Sequence, residues 1–196
     1  MPKTLTNAQQ QRIRAAIFKK ADEFGYMTSG RIESGHFMDG LVDDPEIGGV
    51  LKEYMSKEKV RTYIKDGVLN AYTKSHNKRA LSAITPEIVV KRLHNCDASV
   101  IQQGKGKESN LYVLRSTEGS IYVVSDGTVL KWETALRKAL EIIAREPGLT
   151  INSHTPFICL KLSEAGQVLT DADRGHIRSA LNAIGVKAIF CGSNSH

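Results

Sequence analysis

Apolar residues near the N-terminus recur at the spacing of an amphipathic helix. Ile13, Ile17 and Ala21 lie on one face of this helix, and Gly25 follows as a stop. The stretch 25–49 is rich in glycine and mixed in charge, which is typical of a connection with several turns. We therefore expect an N-terminal helix followed by an irregular connection.

The next predicted helix begins after Ser56 and is basic. Val60, Ile64, Val68 and Ala71 fall on one stripe at 100° per residue, and we assign this stripe to the core. A further short helix is predicted to begin with Pro86 at its first position. The stripe beside the apolar one consists of Arg61, Lys65 and Tyr72.

The pattern then changes to short runs that are rich in β-branched and aromatic residues. LYVL (111–114) and IYVV (121–124) are apolar at every position, which predicts two strands buried on both faces. Asp126 and Gly127 stand between IYVV and the run TVLKW (128–132). An Asp-Gly pair between two apolar runs predicts a type I′ hairpin turn, because both central residues of that turn need positive φ.

The last third of the chain alternates helical and strand patterns. A helix with an apolar face from Trp132 to Ile143 precedes a strand at 156–163, and a second helix precedes a strand at 186–191. The predicted fold class is therefore α/β, in an α+β arrangement. A helical N-terminal part is followed by a β-meander that leads into alternating helix and strand.

The change of pattern also predicts the domain organisation. A helical region with the basic helix is expected at 1–93, and a mixed α/β region at 94–196. The linker at 94–97 is short and is not rich in glycine or serine, which favours one compact unit. Two domains and one compact unit both stay open.

Composition indicates an ordinary globular protein of 196 residues with 41% hydrophobic and 24% charged residues. No apolar run reaches the roughly 20 residues that a membrane-spanning helix needs. The N-terminus has no apolar stretch of secretory length, so we expect a cytoplasmic location. Cys96, Cys159 and Cys191 form no Cys-x-x-Cys pair, which argues against a zinc knuckle or a redox dithiol.

Positive charge is concentrated in one segment of the chain. Residues 57–107 contain eleven basic and four acidic residues, a net charge of +7, whereas the whole chain carries +6. A segment of this kind is what a phosphate backbone or an acidic partner would meet.

The leading hypothesis is therefore a nucleic-acid-binding protein, accessory or regulatory, with DNA and RNA both possible partners. The loop between the first two predicted strands alternates glycine and lysine, which exposes backbone N–H groups beside ammonium groups and suits a phosphate. The candidate binding residues are Arg61, Lys65, Tyr72, Lys74, Lys78, Arg79, Lys91, Arg92, Lys105 and Lys107.

Acidic and histidine side chains near strand ends are the candidates for catalysis. A metal-dependent nuclease commonly carries a carboxylate on one strand and an acid-x-Lys triplet on the next, which together hold a divalent metal and place a water. No such triplet occurs in this sequence, and no His-x-His or His-x-x-x-His pair occurs either. We predict no metal site and no cofactor, except a divalent metal if the protein is a nuclease. The weak catalytic candidates are His94, Asp97, Glu108 and Asp126.

Two alternatives stay open beside nucleic-acid binding. The first is a nuclease or another enzyme on nucleic acid, with acids and histidines gathered from loops; His94 and Asp97 fit either an acid–base pair or a capped helix end. The second is an interaction or inhibitor module for an acidic protein, because the basic segment alone does not distinguish such a partner from nucleic acid.

Overall fold

The computed structural model describes residues 4–149, 155–165 and 169–192. Their contacts group into two compact units, which divide between His76 and Asn77. The sequence pattern changes later, after residue 93. The division into regions 1–93 and 94–196, and the alternative of one compact unit, concern independently folding domains and stay predictions.

The first unit is helical, and the expectation of an irregular connection at 25–49 is wrong, because residues 31–43 form a helix. Thr6 caps its first helix through a reciprocal capping box with Gln9, and Gly25 ends that helix in the left-handed region at φ 71°. The elements are α1 (Asn7–Phe24), α2 (Arg31–Asp43), a π-helical turn (Pro45–Gly49), α3 (Val50–Lys52), α4 (Lys57–Thr62), a π-helical segment (Tyr63–Leu69) and α5 (Asn70–Ser82), which continues beyond His76.

The predicted core stripe of the basic helix is confirmed at Val60, Ile64 and Val68, all of which are buried. Tyr72, predicted on the stripe beside the apolar one, is also buried, at 2% exposure. The π-helical segment explains this difference. Its i→i+5 bonding adds one residue per turn, so the residues that follow are rotated relative to a regular α-helix.

The second unit is α/β, as predicted. Its five-stranded sheet has the order β1-β2-β3-β4-β5, with antiparallel pairing from β1 to β3 and parallel pairing from β3 to β5. The elements are α6 (Pro86–His94), β1 (Ala98–Gln103), β2 (Leu111–Ser116), β3 (Ile121–Thr128), α7 (Trp132–Arg145), β4 (Phe157–Ser163), α8 (Asp171–Ala183) and β5 (Lys187–Cys191), with 3₁₀ turns at Gly106–Glu108, Val129–Lys131 and Pro147–Leu149.

Helices cover both faces of this sheet. On one face α7 and α8 pack on residues such as Val123 and Leu160, and on the other α6 packs on Leu114 and Val124. All four residues of the run IYVV in β3 are buried, which confirms the prediction of a strand buried on both faces. The side chains of β3 therefore alternate between two separate hydrophobic layers.

The predicted hairpin turn at Asp126 and Gly127 is wrong. Strand β3 continues through both residues to Thr128 and pairs in parallel with β4, and Gly127 is not among the described residues with positive φ. The run TVLKW is not a strand, because residues 129–131 form the 3₁₀ turn that leads into α7. A Cβ atom on Gly127 would lie 2.8 Å from the Cβ atom of Ala135, so the glycine permits close packing of α7 on β3.

We expect Gly127→Ala to lower the free energy of unfolding by about 1–3 kcal/mol, because the added methyl group overpacks the contact with Ala135. Urea denaturation measures the change. Gly175→Ala is the matched control, since a Cβ atom there meets no atom within 4 Å and α8 gains helix propensity. An equal effect of the two substitutions would contradict this account of Gly127.

Candidate functional site

The basic candidates of the first unit are exposed, but they differ in their partners. The Nε atom of Arg61 lies 2.9 Å from Oδ1 of Asp39, so this guanidinium is already paired. Lys65 and Lys74 have no acidic partner among the described residues, and the same holds for Lys59. This unit therefore presents ammonium groups that form no ion pair with a described residue, although Lys65 lines a cavity together with four carboxylates.

Tyr72 packs inside the first unit. Its hydroxyl donates a hydrogen bond of 2.6 Å to Oδ1 of Asp22, and its ring meets Phe18 edge-on at 5.1 Å between centroids. Burial, and then the hydrogen bond to Asp22, raise the pKa of Tyr72. A ring held in this way is not accessible for stacking on a base.

The second unit contains the remaining basic candidates. Lys91 pairs with Asp97 at 2.8 Å. The side chain of Lys107 lies outside the described part of the structure. Four basic side chains are exposed and form no ion pair with a described residue: Lys78, Arg79, Arg92 and Lys105.

Three of the four catalytic candidates have separate structural partners. Asp97 pairs with Lys91, so it forms no acid–base pair with His94, and Glu108 pairs with Arg145. His94 packs against aromatic rings, and its Nε2 atom lies 3.5 Å from Sγ of Cys159. Burial, and then the positive charge of Lys187, lower the pKa of His94.

The fourth candidate, Asp126, lies in a buried ion pair. Its register partner on β4 is Lys161, and the Nζ atom of Lys161 lies 3.1 Å from Oδ1 of Asp126. The two side chains are 3% (Lys161) and 10% (Asp126) exposed. The ammonium group also donates a hydrogen bond of 3.0 Å to the carbonyl oxygen of Ile84 and lies 5.8 Å from the ring centroid of Tyr112.

The ion pair leaves one acceptor unsatisfied. Oδ1 of Asp126 is at ion-pair distance from Lys161, but it receives no well-aligned hydrogen bond from a described residue. Burial raises the pKa of Asp126 to about 6, and the positive charge of Lys161 opposes this shift. A carboxyl group of this kind changes its protonation state close to neutral pH, as a general acid or base must.

The position of the pair in the fold also favours a site. Asp126 and Lys161 lie towards the carboxyl ends of two parallel strands, where ligands of open α/β sheets bind. Half-buried Tyr112 is nearby: burial raises its pKa, and the negative charges of Asp126 and Glu87 add to the shift. Two carboxylates, an ammonium group and a phenol thus lie on the α6 face of the sheet.

Sequence analysis missed the role of Lys161. The available signal was a single lysine in the otherwise apolar strand FICLKLS, because a lysine in a buried strand needs a partner. Asp126 was not recognised as the partner of Lys161, because the sequence analysis assigned Asp126 to a turn.

Two features are absent from the described residues: a cluster of metal ligands and a helix that could span a membrane. They contain no group of three or more His, Cys, Asp and Glu side chains arranged to hold a metal ion. Among the same residues, no helix is both long and apolar enough to cross a membrane.

Comparisons of the chain with protein-family models, with curated proteins and with solved structures found no match. Function must therefore be inferred from the chemistry of the side chains.

The raised pKa of Asp126 predicts a pH dependence of stability. The folded state binds this proton more tightly than the unfolded chain, so the contribution of Asp126 to stability falls as the pH rises from about 4 to about 6. We expect the unfolding free energy of the wild type, relative to Asp126→Asn, to fall by about 2 kcal/mol over this range. Urea denaturation at several pH values measures it.

Ser125→Ala serves as the control, because it alters a buried neighbour of Asp126 that does not titrate. This variant should keep the pH dependence of the wild type. If the difference in unfolding free energy between the wild type and Asp126→Asn stays constant with pH, the raised pKa of Asp126 is contradicted.

Proposed function

We propose that the protein binds a polyanion, nucleic acid in the first place, through exposed basic side chains of residues 57–107. The observation that carries this proposal is the net charge of +7 on residues 57–107, together with the absence of acidic partners for seven of their basic side chains among the described residues. The side chains concerned are Lys59, Lys65 and Lys74 in the first unit and Lys78, Arg79, Arg92 and Lys105 in the second.

Several acidic side chains are already paired with cations of the same chain. Exposed acids such as Asp39 and Asp97 each hold a cation close by, and the half-buried Glu164 holds Arg174. The positive charge of a basic side chain without such a partner remains available to an external anion. Such side chains attract phosphates, and each phosphate that they neutralise releases condensed counterions from the nucleic acid.

Removing these charges should weaken binding and flatten its salt dependence. Two triple variants separate the units: Lys59, Lys65 and Lys74→Gln, and Lys78, Arg79 and Arg92→Gln. The logarithm of the binding constant falls linearly with the logarithm of the salt concentration. Each phosphate that is no longer neutralised should make this slope less negative, by about 0.9 on duplex DNA or about 0.7 on single strands. Fluorescence anisotropy with random duplex and single-stranded DNA and RNA at several salt concentrations measures the slope.

Arg12→Gln and Arg115→Gln are the matched controls, because both residues are exposed but lie outside residues 57–107. We expect them to bind like the wild type. Absence of wild-type binding at low salt would refute the proposal. Co-purification of a stoichiometric acidic protein without nucleic acid would instead favour a protein partner.

A second candidate function is cleavage of the bound polyanion at Asp126. The observation in its favour is a buried carboxyl group with a pKa of about 6, paired with Lys161 at 3.1 Å and close to Tyr112. In this role Asp126 accepts a proton from a water that attacks the phosphorus atom, the P–O bond to one neighbouring sugar breaks, and the leaving oxygen takes a proton from solvent. The ammonium group of Lys161 stabilises the negative charge that develops on the phosphate.

If cleavage occurs, Asp126→Asn should abolish it, and the decrease in rate should exceed 100-fold because a general base contributes about 10²–10⁴-fold. Labelled single- and double-stranded nucleic acids, with and without Mg²⁺ and Mn²⁺, provide the assay. Asp97→Asn, an acid paired at the surface with Lys91, is the control and should keep wild-type activity. Intact substrate with the wild type under every condition removes this candidate and leaves the binding proposal standing.

A further inference from the structure

A cavity of about 330 Å³ lies in the first unit between α1 and the π-helical segment Tyr63–Leu69. Its volume is at the lower end of the range for sites that bind small organic molecules. None of the binding or catalytic candidates predicted from the sequence lines this cavity. A function of the cavity therefore does not depend on the basic side chains of residues 57–107.

Polar side chains of α1 form one wall of the cavity. Asn7, Gln10, Gln11 and Arg14 follow the spacing i, i+3, i+4 and i+7, which places them on one face of the helix. The three side-chain amides both donate and accept hydrogen bonds, whereas the guanidinium group only donates them. Hydroxyl groups, which also donate and accept, are matching partners for the amides.

The other wall comes from the π-helical segment and is partly apolar. Tyr63 is half-buried, Val68 is buried, and Gly67 contributes no side chain. A Cβ atom at Gly67 would lie 3.8 Å from Cδ2 of Tyr63, so the glycine leaves this part of the ring uncovered. Segments of this kind are frequent at functional sites. The ring offers a surface on which the carbon skeleton of a small molecule packs.

Arg14 gives the cavity a net positive charge. Its described lining includes no aspartate or glutamate, and Asp66, which precedes Gly67 in the chain, lines a different cavity. Arg14 forms no ion pair or hydrogen bond with a described residue. Its Cζ atom lies 5.1 Å from the ring centroid of Phe18, a contact through the face of the guanidinium group that leaves the N–H groups at its edge available. An anion that enters the cavity therefore meets a free bidentate donor.

We propose that this cavity binds a small hydroxylated anion, a sugar phosphate or a hydroxy acid. The anionic group pairs with Arg14, the hydroxyl groups exchange hydrogen bonds with the amides of α1, and the carbon skeleton packs on Tyr63. Phosphate and carboxylate present the same chemistry to a guanidinium group, so a ligand of each kind is needed to distinguish them. The site is separate from the proposed polyanion-binding side chains, and either proposal can fail without the other.

Protection of Arg14 from phenylglyoxal, a reagent that modifies guanidinium groups, tests this proposal. The full chain is treated at constant ionic strength in the presence of glucose 6-phosphate, citrate or uncharged glucose, each at about 10 mM, and the modification of each arginine is quantified by mass spectrometry. A dissociation constant of about 1 mM is ordinary for so small a ligand, so glucose 6-phosphate, citrate or both should slow the modification of Arg14 about ten-fold. Glucose should leave the rate unchanged, because it has no anionic group.

Arg12 is the internal control. It is exposed on the same helix but does not line the cavity, and two residues of an α-helix point in nearly opposite directions. Gly67→Leu is the blocking variant, because the added side chain fills the space beside Tyr63 and its Cβ atom makes only an ordinary contact. This variant should remove the protection although Arg14 is still present. Gly40→Leu, at an open position of α2 outside this cavity, should keep the protection.

Equal modification of Arg14 in all three solutions would overturn the proposal. Equal protection of Arg12 and Arg14, or protection of Arg14 that persists in Gly67→Leu, would overturn it as well, because anions would then associate with the basic surface in general. The salt titrations with nucleic acid test the proposed function separately from all of these results.

Discussion

The pairing of charges in the interior is the constraint on which the rest of this structure depends. Lys161 is almost wholly buried on β4, and a buried ammonium group is tolerated only with a counter-charge or hydrogen-bond acceptors. Asp126 on β3 supplies the counter-charge and Ile84 an acceptor. A shift of one residue between the two strands would turn one member of the pair to the other face, so the pair favours a single register.

The surface of residues 57–107 contrasts with this interior. Most of its exposed lysines and arginines have no acidic partner among the described residues. Arg61 and Lys91 are exceptions, because they form ion pairs with Asp39 and Asp97. Unpaired charges on a surface cost little in stability, because water solvates them well. What they provide is attraction for an opposite charge, and this is why the function proposed for the chain is the binding of a polyanion.

Much of the fold was predictable because local pattern and burial agree. The stripe of Val60, Ile64 and Val68 and the run IYVV of β3 occupy the core as their spacing indicates. The errors arose where a contact distant in sequence overrides a local preference. Gly127 is required by the approach of α7, and no local rule distinguishes that requirement from a turn.

The candidate sites were less predictable than the fold for the same reason. Tyr72 was predicted on the stripe beside the core, as a candidate binding residue, because a regular α-helix was assumed. The π-helical segment before it changes the phase of the helix. The partnership of Asp126 with Lys161 depends on parallel strand pairing across a whole helix.

Protection of individual lysines from acetylation tests the central claim, that the unpaired basic side chains contact a polyanion. The protein is acetylated at low salt with and without a single-stranded oligonucleotide, and each site is quantified by mass spectrometry. The account predicts protection of Lys59, Lys65, Lys74, Lys78 and Lys105, and unchanged modification of Lys19 and Lys131, which are exposed elsewhere. Equal modification of all these lysines in the presence and absence of the oligonucleotide would contradict it.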